Sequence, residues 1–166
     1  VQHMPPNFTD AFARRMDRLC AMPVSEVNTP RPLEPGHIYI GQGGTDMILM
    51  ERLGRLVAAP KPETPGHPWH PSVDVLVTSA MRHLPATQIT GVQLTGMGND
   101  GAAAMREMKD AGSYNYVQDE ATCIVFGMPR EAIAHGAADE VLPLGQIAPA
   151  LITRLRGATD RLHHRI

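Results

Sequence analysis

The first large apolar residues of the chain, Phe8, Phe12, Met16, Leu19 and Cys20, recur at three- and four-residue intervals. That spacing predicts a helix that buries them, capped by Asn7 or Thr9, with Arg14, Arg15, Asp17 and Arg18 mostly on its solvated side. Ahead of it, Val1-Gln2 reads as the tail of a strand and His3-Met4-Pro5-Pro6 as the turn that follows. Val24-Ser25-Glu26-Val27 is a short strand, whereas residues 28–36 hold three prolines and read as loop. Three apolar runs follow, at 37–40, 46–50 and 55–58, separated by Gly43-Gly44 and Leu53-Gly54. They predict an antiparallel meander. Residues 60–71 carry five prolines and read as an irregular loop, after which Ser72 caps a helix over 73–83.

The second half alternates more regularly. A β-rich run, Ile89-Thr90-Gly91-Val92-Gln93-Leu94, stops at Thr95-Gly96-Met97-Gly98-Asn99-Asp100-Gly101, and a helix over 102–111 begins at once, ending at Gly112. Strand 114–117 finishes at Gln118-Asp119-Glu120. Pro129 opens a short helix through Ala134, residues 140–142 form a last strand, and a closing helix covers 147–155. Alternation of this kind predicts an α/β fold: a doubly wound, mainly parallel sheet with an antiparallel meander inserted in it.

Composition narrows the class. A chain of 166 residues makes one domain and buries roughly 70% of its unfolded surface. A net charge of -2 gives no general electrostatic case for nucleic acid or an anionic membrane. Two cysteines, Cys20 and Cys123, do not make a disulfide framework, which favours a reduced, cytoplasmic setting. No apolar run approaches the ~20 residues of a membrane span, and no signal peptide is seen. His67, His70 and His83 lack ligand spacing, so no metal is expected, and His163-His164 belong to a basic helix end. The chain starts at Val1, on what reads as a strand's end, and is expected to be a fragment.

The turn at 96–101 carries the candidate chemistry. It satisfies G-x-G-x-x-G between a strand and a helix, with Asp119 or Glu120 about 20 residues on, as a dinucleotide site would require. Asp100 argues against that, because a carboxylate inside the loop would repel phosphate. A helix-entry turn with no ligand is a second reading. The third pairs Asp100 with His3: both follow strand ends, and the carboxyl ends of parallel strands share one edge. A carboxylate there would fix the tautomer of an imidazole acting as base. Spacing leaves all three open.

The residues themselves resemble a known family. Gln2-His3-Met4-Pro5, the run from Leu94 to Gly101, and the block from Gln118-Asp119-Glu120-Ala121-Thr122-Cys123 through Met128-Pro129-Arg130-Glu131-Ala132-Ile133 are similar to the CheB family, the protein-glutamate methylesterases of bacterial chemotaxis. Pro71-Ser72-Val73-Asp74 and Gly136-Ala137-Ala138-Asp139-Glu140-Val141-Leu142-Pro143 match as well, so the resemblance covers nearly the whole chain. It implies a Ser-His-Asp triad in which His3 is the general base, Asp100 orients it, and the backbone N–H of Met97 helps hold the oxyanion. The G-x-G-x-x-G match is then fortuitous. The implied substrate is a glutamate γ-methyl ester on methyl-accepting chemoreceptors, with glutamine deamidation as a related activity, and no cofactor is implied. Many members also carry a phosphorylatable response-regulator receiver domain ahead of the esterase.

The chain departs from the family pattern in places. The family's nucleophile lies in a Gly-x-Ser-Thr-Gly-Gly turn, one strand–helix unit before Gln-His-Met-Pro, and Ser25, Ser72, Ser79 and Ser113 are in no such turn. Residues 1–166 are therefore expected to be a partial catalytic domain that lacks its first strand–helix unit and is inactive alone. The alternative is a non-catalytic module of the same fold that binds receptors or signalling partners. Gly41-Gln42-Gly43-Gly44 stands where many members have Ala-Pro-Gly-Gly, and Trp69-His70 where His-Arg is more usual. These changes fall on the expected rim of the site. Arg130, Glu131, Asp119 and Glu120 are candidates for supporting roles beside it.

Overall fold

The structure, a computed structural model, describes residues 1–163, with side chains described as far as Gly157. The chain forms two compact units, Val1–Gln88 and the residues from Ile89 onward.

The first unit contains α1 (Pro6–Leu19), β1 (Val24–Val27), β2 (Arg31–Pro32), β3 (Ile38–Gly41), β4 (Asp46–Arg52), β5 (Arg55–Lys61) and α2 (Val73–Met81). β1 and β3 pair in parallel, Val24 opposite Ile38 and Val27 opposite Gly41. β2, β5 and β4 form a separate antiparallel sheet. Val27 of β1, Met47 of β4 and Ala58 of β5 make a core cluster of this unit, packed by Leu33, Tyr39, Leu49 and Leu76. The β4–β5 hairpin turns on Leu53 and Gly54, at φ 53° and 72°. Two successive positive φ values match the right-handed twist of the strands the turn joins.

Four expectations are corrected here. The meander is not made of the runs at 37–40, 46–50 and 55–58: the first of these pairs with β1, and the third antiparallel strand is β2, inside the expected loop. Pro32 is tolerated there because β2 is a two-residue edge strand, where a missing N–H leaves no ladder bond unmade. Nor does α1 bury the predicted face. Thr9 and Ala13 are buried, Phe12 and Met16 are half-buried, and Phe8 and Leu19 stay 58% and 70% exposed, with Cys20 exposed too. The small residues let the helix approach β1, and the Thr9 hydroxyl is fixed by donating to Glu26 Oε1 at 2.6 Å. Neither Asn7 nor Thr9 caps α1; Pro5 holds the cap position with no side-chain bond and Pro6 begins the helix. Finally, Val1 and Gln2 join no sheet.

The second unit follows the sequence reading closely. It holds β6 (Thr90–Gln93), α3 (Ala102–Asp110), β7 (Tyr114–Gln118), α4 (Met128–Ala134), β8 (Glu140–Leu142) and α5 (Leu144–His163). The sheet order is β6-β7-β8, all parallel. β7 is central, with Asn115, Tyr116, Val117 and Gln118 buried. Asn115 meets the polar cost of that burial by donating to the Met105 and Ala137 carbonyls at 2.9 and 3.0 Å. α5 starts three residues earlier than the pattern suggested and packs on β7, with the Arg154 guanidinium 3.8 Å from the centre of the Tyr114 ring. Of the expected basic helix end, His163 closes α5 with its side chain outside the described residues, and His164 lies outside them altogether. No helix among the described residues is long and apolar enough to cross a membrane.

Candidate functional site

In the first unit the candidate base, His3, lies half-buried with its ring parallel to Trp69: the centroids are 5.7 Å apart and the planes differ by 7°. Both rings are held by the turn after β3. The Met4–Pro6 backbone crosses Gly43 so closely that a Cβ there would stand 2.3 Å from the Met4 carbonyl oxygen and 2.7 Å from the Pro5 carbonyl carbon. The Gly43 N–H donates to Thr9 Oγ1 at 3.1 Å, which ties the turn to α1. On the Trp69 side, Gly44 N–H donates to the His70 carbonyl at 3.2 Å, and Gly41 packs on Pro71.

The loop bearing Trp69 has a second anchor, fully buried Asp46. Its carboxylate takes the Ser72 and Thr64 N–H groups at 2.9 and 2.8 Å, and the His70 Nδ1 lies 3.0 Å from Oδ1. Burial works against the charge on Asp46, but the bonds from Thr64, His70 and Ser72 outweigh it, so its pKa falls below the ordinary 3.8. A depressed pKa means stabilisation that is complete above the unfolded value and is lost as pH drops through the folded one. Acid unfolding of this unit should therefore begin below about pH 4. Asp46→Ala, which strands a buried donor at Ser72, is expected to cost about 3 kcal/mol. A denaturant titration of the wild type and the variant at pH 7 and pH 3 checks both statements, since the gap between them must shrink in acid. His70 thus has a structural task, one the sequence reading, which placed it only on a rim, did not foresee.

In the second unit, β6 gives way to the turn that bears Met97 and Asp100. A Cβ on Gly96 would meet Met128 Sδ at 2.5 Å and force that buried side chain to shift, and the Gly96 carbonyl accepts from the Gly127 and Met128 N–H groups at 3.0 and 2.8 Å. Gly98 and Gly101 sit at φ 97° and 90°, a region closed to most side chains. Packing and backbone conformation thus account for all three glycines of the G-x-G-x-x-G pattern without a phosphate. Asp100, between the last two, is only 4% exposed, so the carboxylate is buried at the mouth of α3 rather than open to solvent.

Gln118 is the brace that sequence reasoning missed. It is fully buried, accepts from the Thr95 N–H at 2.8 Å and donates to the Thr122 carbonyl at 2.8 Å, so one side chain joins the Met97 turn to the loop after β7. Asp119 serves that same loop, accepting from the Thr122 N–H at 3.1 Å. Burial, together with the negative charges of Asp119 and Glu120, pushes the Cys123 thiol up despite a bond to Thr95, which leaves it protonated and a poor nucleophile. Met97 is 74% exposed at the edge of an open cleft of about 530 Å³, lined also by Asn99, Val125, Phe126 and Arg130. Arg130 pairs with Glu131 at 3.1 Å. The backbone N–H of Met97 donates to no group among the described residues.

The four serines are spent on structure or stand apart from any glycine-rich turn. Ser72 is buried and accepts from Val75 N–H as the cap of α2, as the sequence predicts. Ser79 donates to the Leu76 carbonyl, Ser113 donates to Asn115 Oδ1, and Ser25 lies 3.0 Å from His37 Nε2.

A protein-family model described as CheB methylesterase matches residues 1–151. A protein-glutamate methylesterase/protein-glutamine glutaminase from Albidiferax ferrireducens is 56% identical over 161 residues, which is 97% of this chain and 43% of that protein. One from Rhodospirillum rubrum is 50% identical over 151 residues, 91% of this chain and 41% of the relative. The crystal structure of the Thermotoga maritima CheB methylesterase catalytic domain matches with a TM-score of 0.85 at 34% identity, over 92% of this chain and 80% of that one. The chain spans less than half the length of the curated relatives it matches.

Proposed function

Because the chain belongs to the CheB methylesterase family, we propose that it supplies the base and the orienting acid for hydrolysis of glutamate γ-methyl esters on methyl-accepting chemoreceptors. The observation that carries the reading is the family match over residues 1–151, which includes the His3 turn and the Asp100 turn alike. His3 takes the proton of a serine hydroxyl as it attacks the ester carbonyl, then passes it to the methoxide oxygen, which departs as methanol; a water molecule repeats the cycle to release the acyl group. Asp100 holds the imidazole in the tautomer that can accept that proton. The Met97 N–H, which donates to no group among the described residues, is suited to the developing oxyanion. Glutamine deamidation follows the same path with ammonia leaving, in keeping with the double name its relatives carry.

The serine, in this reading, comes from a Gly-x-Ser-Thr-Gly-Gly turn outside these 166 residues, since none of the four serines present is in such a turn. The relatives' greater length leaves room for that unit and for a receiver domain in the same polypeptide. The setting, in this reading, is cytoplasmic. The test is methanol release from methylated receptor. The chain alone is expected to show none, and a protein in which the serine turn precedes residue 1 is expected to turn over. Turnover by the 166 residues alone would overthrow the assignment of the nucleophile, and silence from both would favour a binding module of the same fold.

A further inference from the structure

We propose that Trp69 is a positioning residue for His3: its indole sets the plane of the imidazole, so that it governs turnover rather than substrate affinity. The inference rests on the reading of His3 as the general base. A ring separation of 5.7 Å with planes 7° apart is an offset stack, within the range where aromatic pairs attract. The stack matters only if both rings have fixed roots, and both do. Met4–Pro6 is pressed on Gly43 and Pro6 on Gly44, which locates the backbone of the His3 turn. Trp69 is followed by His70, whose carbonyl accepts from Gly44 and whose ring meets buried Asp46, and by Pro71 against Gly41. One four-residue turn therefore sets the spacing of the two rings. Between those roots an imidazole still has two side-chain torsions to choose, and a parallel indole removes most orientations out of its plane. A base must lie within hydrogen-bond reach of the proton it removes, and a misplacement of about 1 Å can cost 100-fold. Trp69 is the one tryptophan of the chain and stands where the resembling family more usually has histidine, another flat ring.

The experiment uses the protein that carries the serine turn, with receptor demethylation and proton NMR read on the same samples. The stacked indole should shift the His3 ring protons upfield, and Trp69→Leu should abolish that shift. The same variant should lower kcat roughly 10- to 100-fold while KM stays within about threefold. Trp69→Phe and Trp69→His, which restore a flat neighbour, should recover most of the rate. If Trp69→Leu does not fold, Trp69→Met takes its place. Loss of the ring shift with kcat unchanged, or a rise in KM alone, overturns the proposal. His3→Ala is the separate control: if that variant still turns over at the wild-type rate, the base assignment itself fails.

Discussion

Asp100→Asn is expected to lower receptor demethylation by about 10⁴-fold while leaving the fold intact. The amide has the size of the carboxylate, so the tight turn between Gly98 and Gly101 is not disturbed, and their positive φ values remain satisfied. What changes is the bond the side chain can make. A carboxylate only accepts, which holds an imidazole with its proton turned inward and its free nitrogen toward the serine. An amide can offer an N–H instead, and the imidazole then settles in the tautomer that cannot take a proton from the nucleophile. The negative charge that would stabilise the imidazolium is lost as well. The measurement is kcat for methanol release in the protein that carries the serine turn, with circular dichroism to show an unchanged fold. A loss below tenfold would remove Asp100 from the proposed triad. Because Asp100 is buried, a larger or charged replacement would confound folding with chemistry, which is why the isostere is the informative change.

Gly43→Ala should produce the second large effect, this time through structure. The added methyl would stand 2.3 Å from the Met4 carbonyl oxygen, a backbone atom with no flexible end to swing aside. Overpacking against backbone is expected to cost about 3 kcal/mol, and relief requires the 41–44 turn and the His3 turn to move apart. Activity should fall roughly 100-fold through displacement of the imidazole. Gly36→Ala is the matched comparison. Gly36 has φ 72° but open space around it, so its cost is only that of the left-handed conformation, about 1 kcal/mol, with no change in turnover. Urea unfolding and demethylation rates of the two variants separate crowding from conformation. Equal losses in both would show that the close approach at Gly43 does not hold His3 in place.

Much of the second unit was legible because local signals and long-range packing agree there. Gly112 ends α3, Pro129 opens α4, and the β6–turn–α3 punctuation predicts the parallel sheet that the structure has. The first unit was harder for a physical reason. Its helix packs through Thr9 and Ala13, small residues that allow close approach, so a reading weighted by large apolar side chains picked the wrong stripe. Its strands are short, and their partners are chosen by contacts far apart in sequence, which no periodicity encodes. β2 was hidden by Pro32 and Pro30, though an edge strand can carry proline.

The candidate site shows the same division. His3, Met97 and Asp100 were visible through motifs that resemble a family, and the glycines between them have structural explanations. Asp46 and Gln118 were not visible. Asp46 reads as the ordinary start of a strand, and nothing in the sequence says that its acceptors face Thr64, His70 and Ser72. Gln118 closes a buried strand, and its two-ended bond exists only once the loop after β7 has folded back.

The turn at residues 41–44 is a shared foundation, and that constrains how the protein can be altered. An insertion there would separate the footings of His3 and Trp69 and so change the spacing the turn sets, and a graft of the 64–72 loop from a relative would bring a new ring against an old footing. Anyone recasting the selectivity of this protein should therefore transplant the turn and the loop as one cassette.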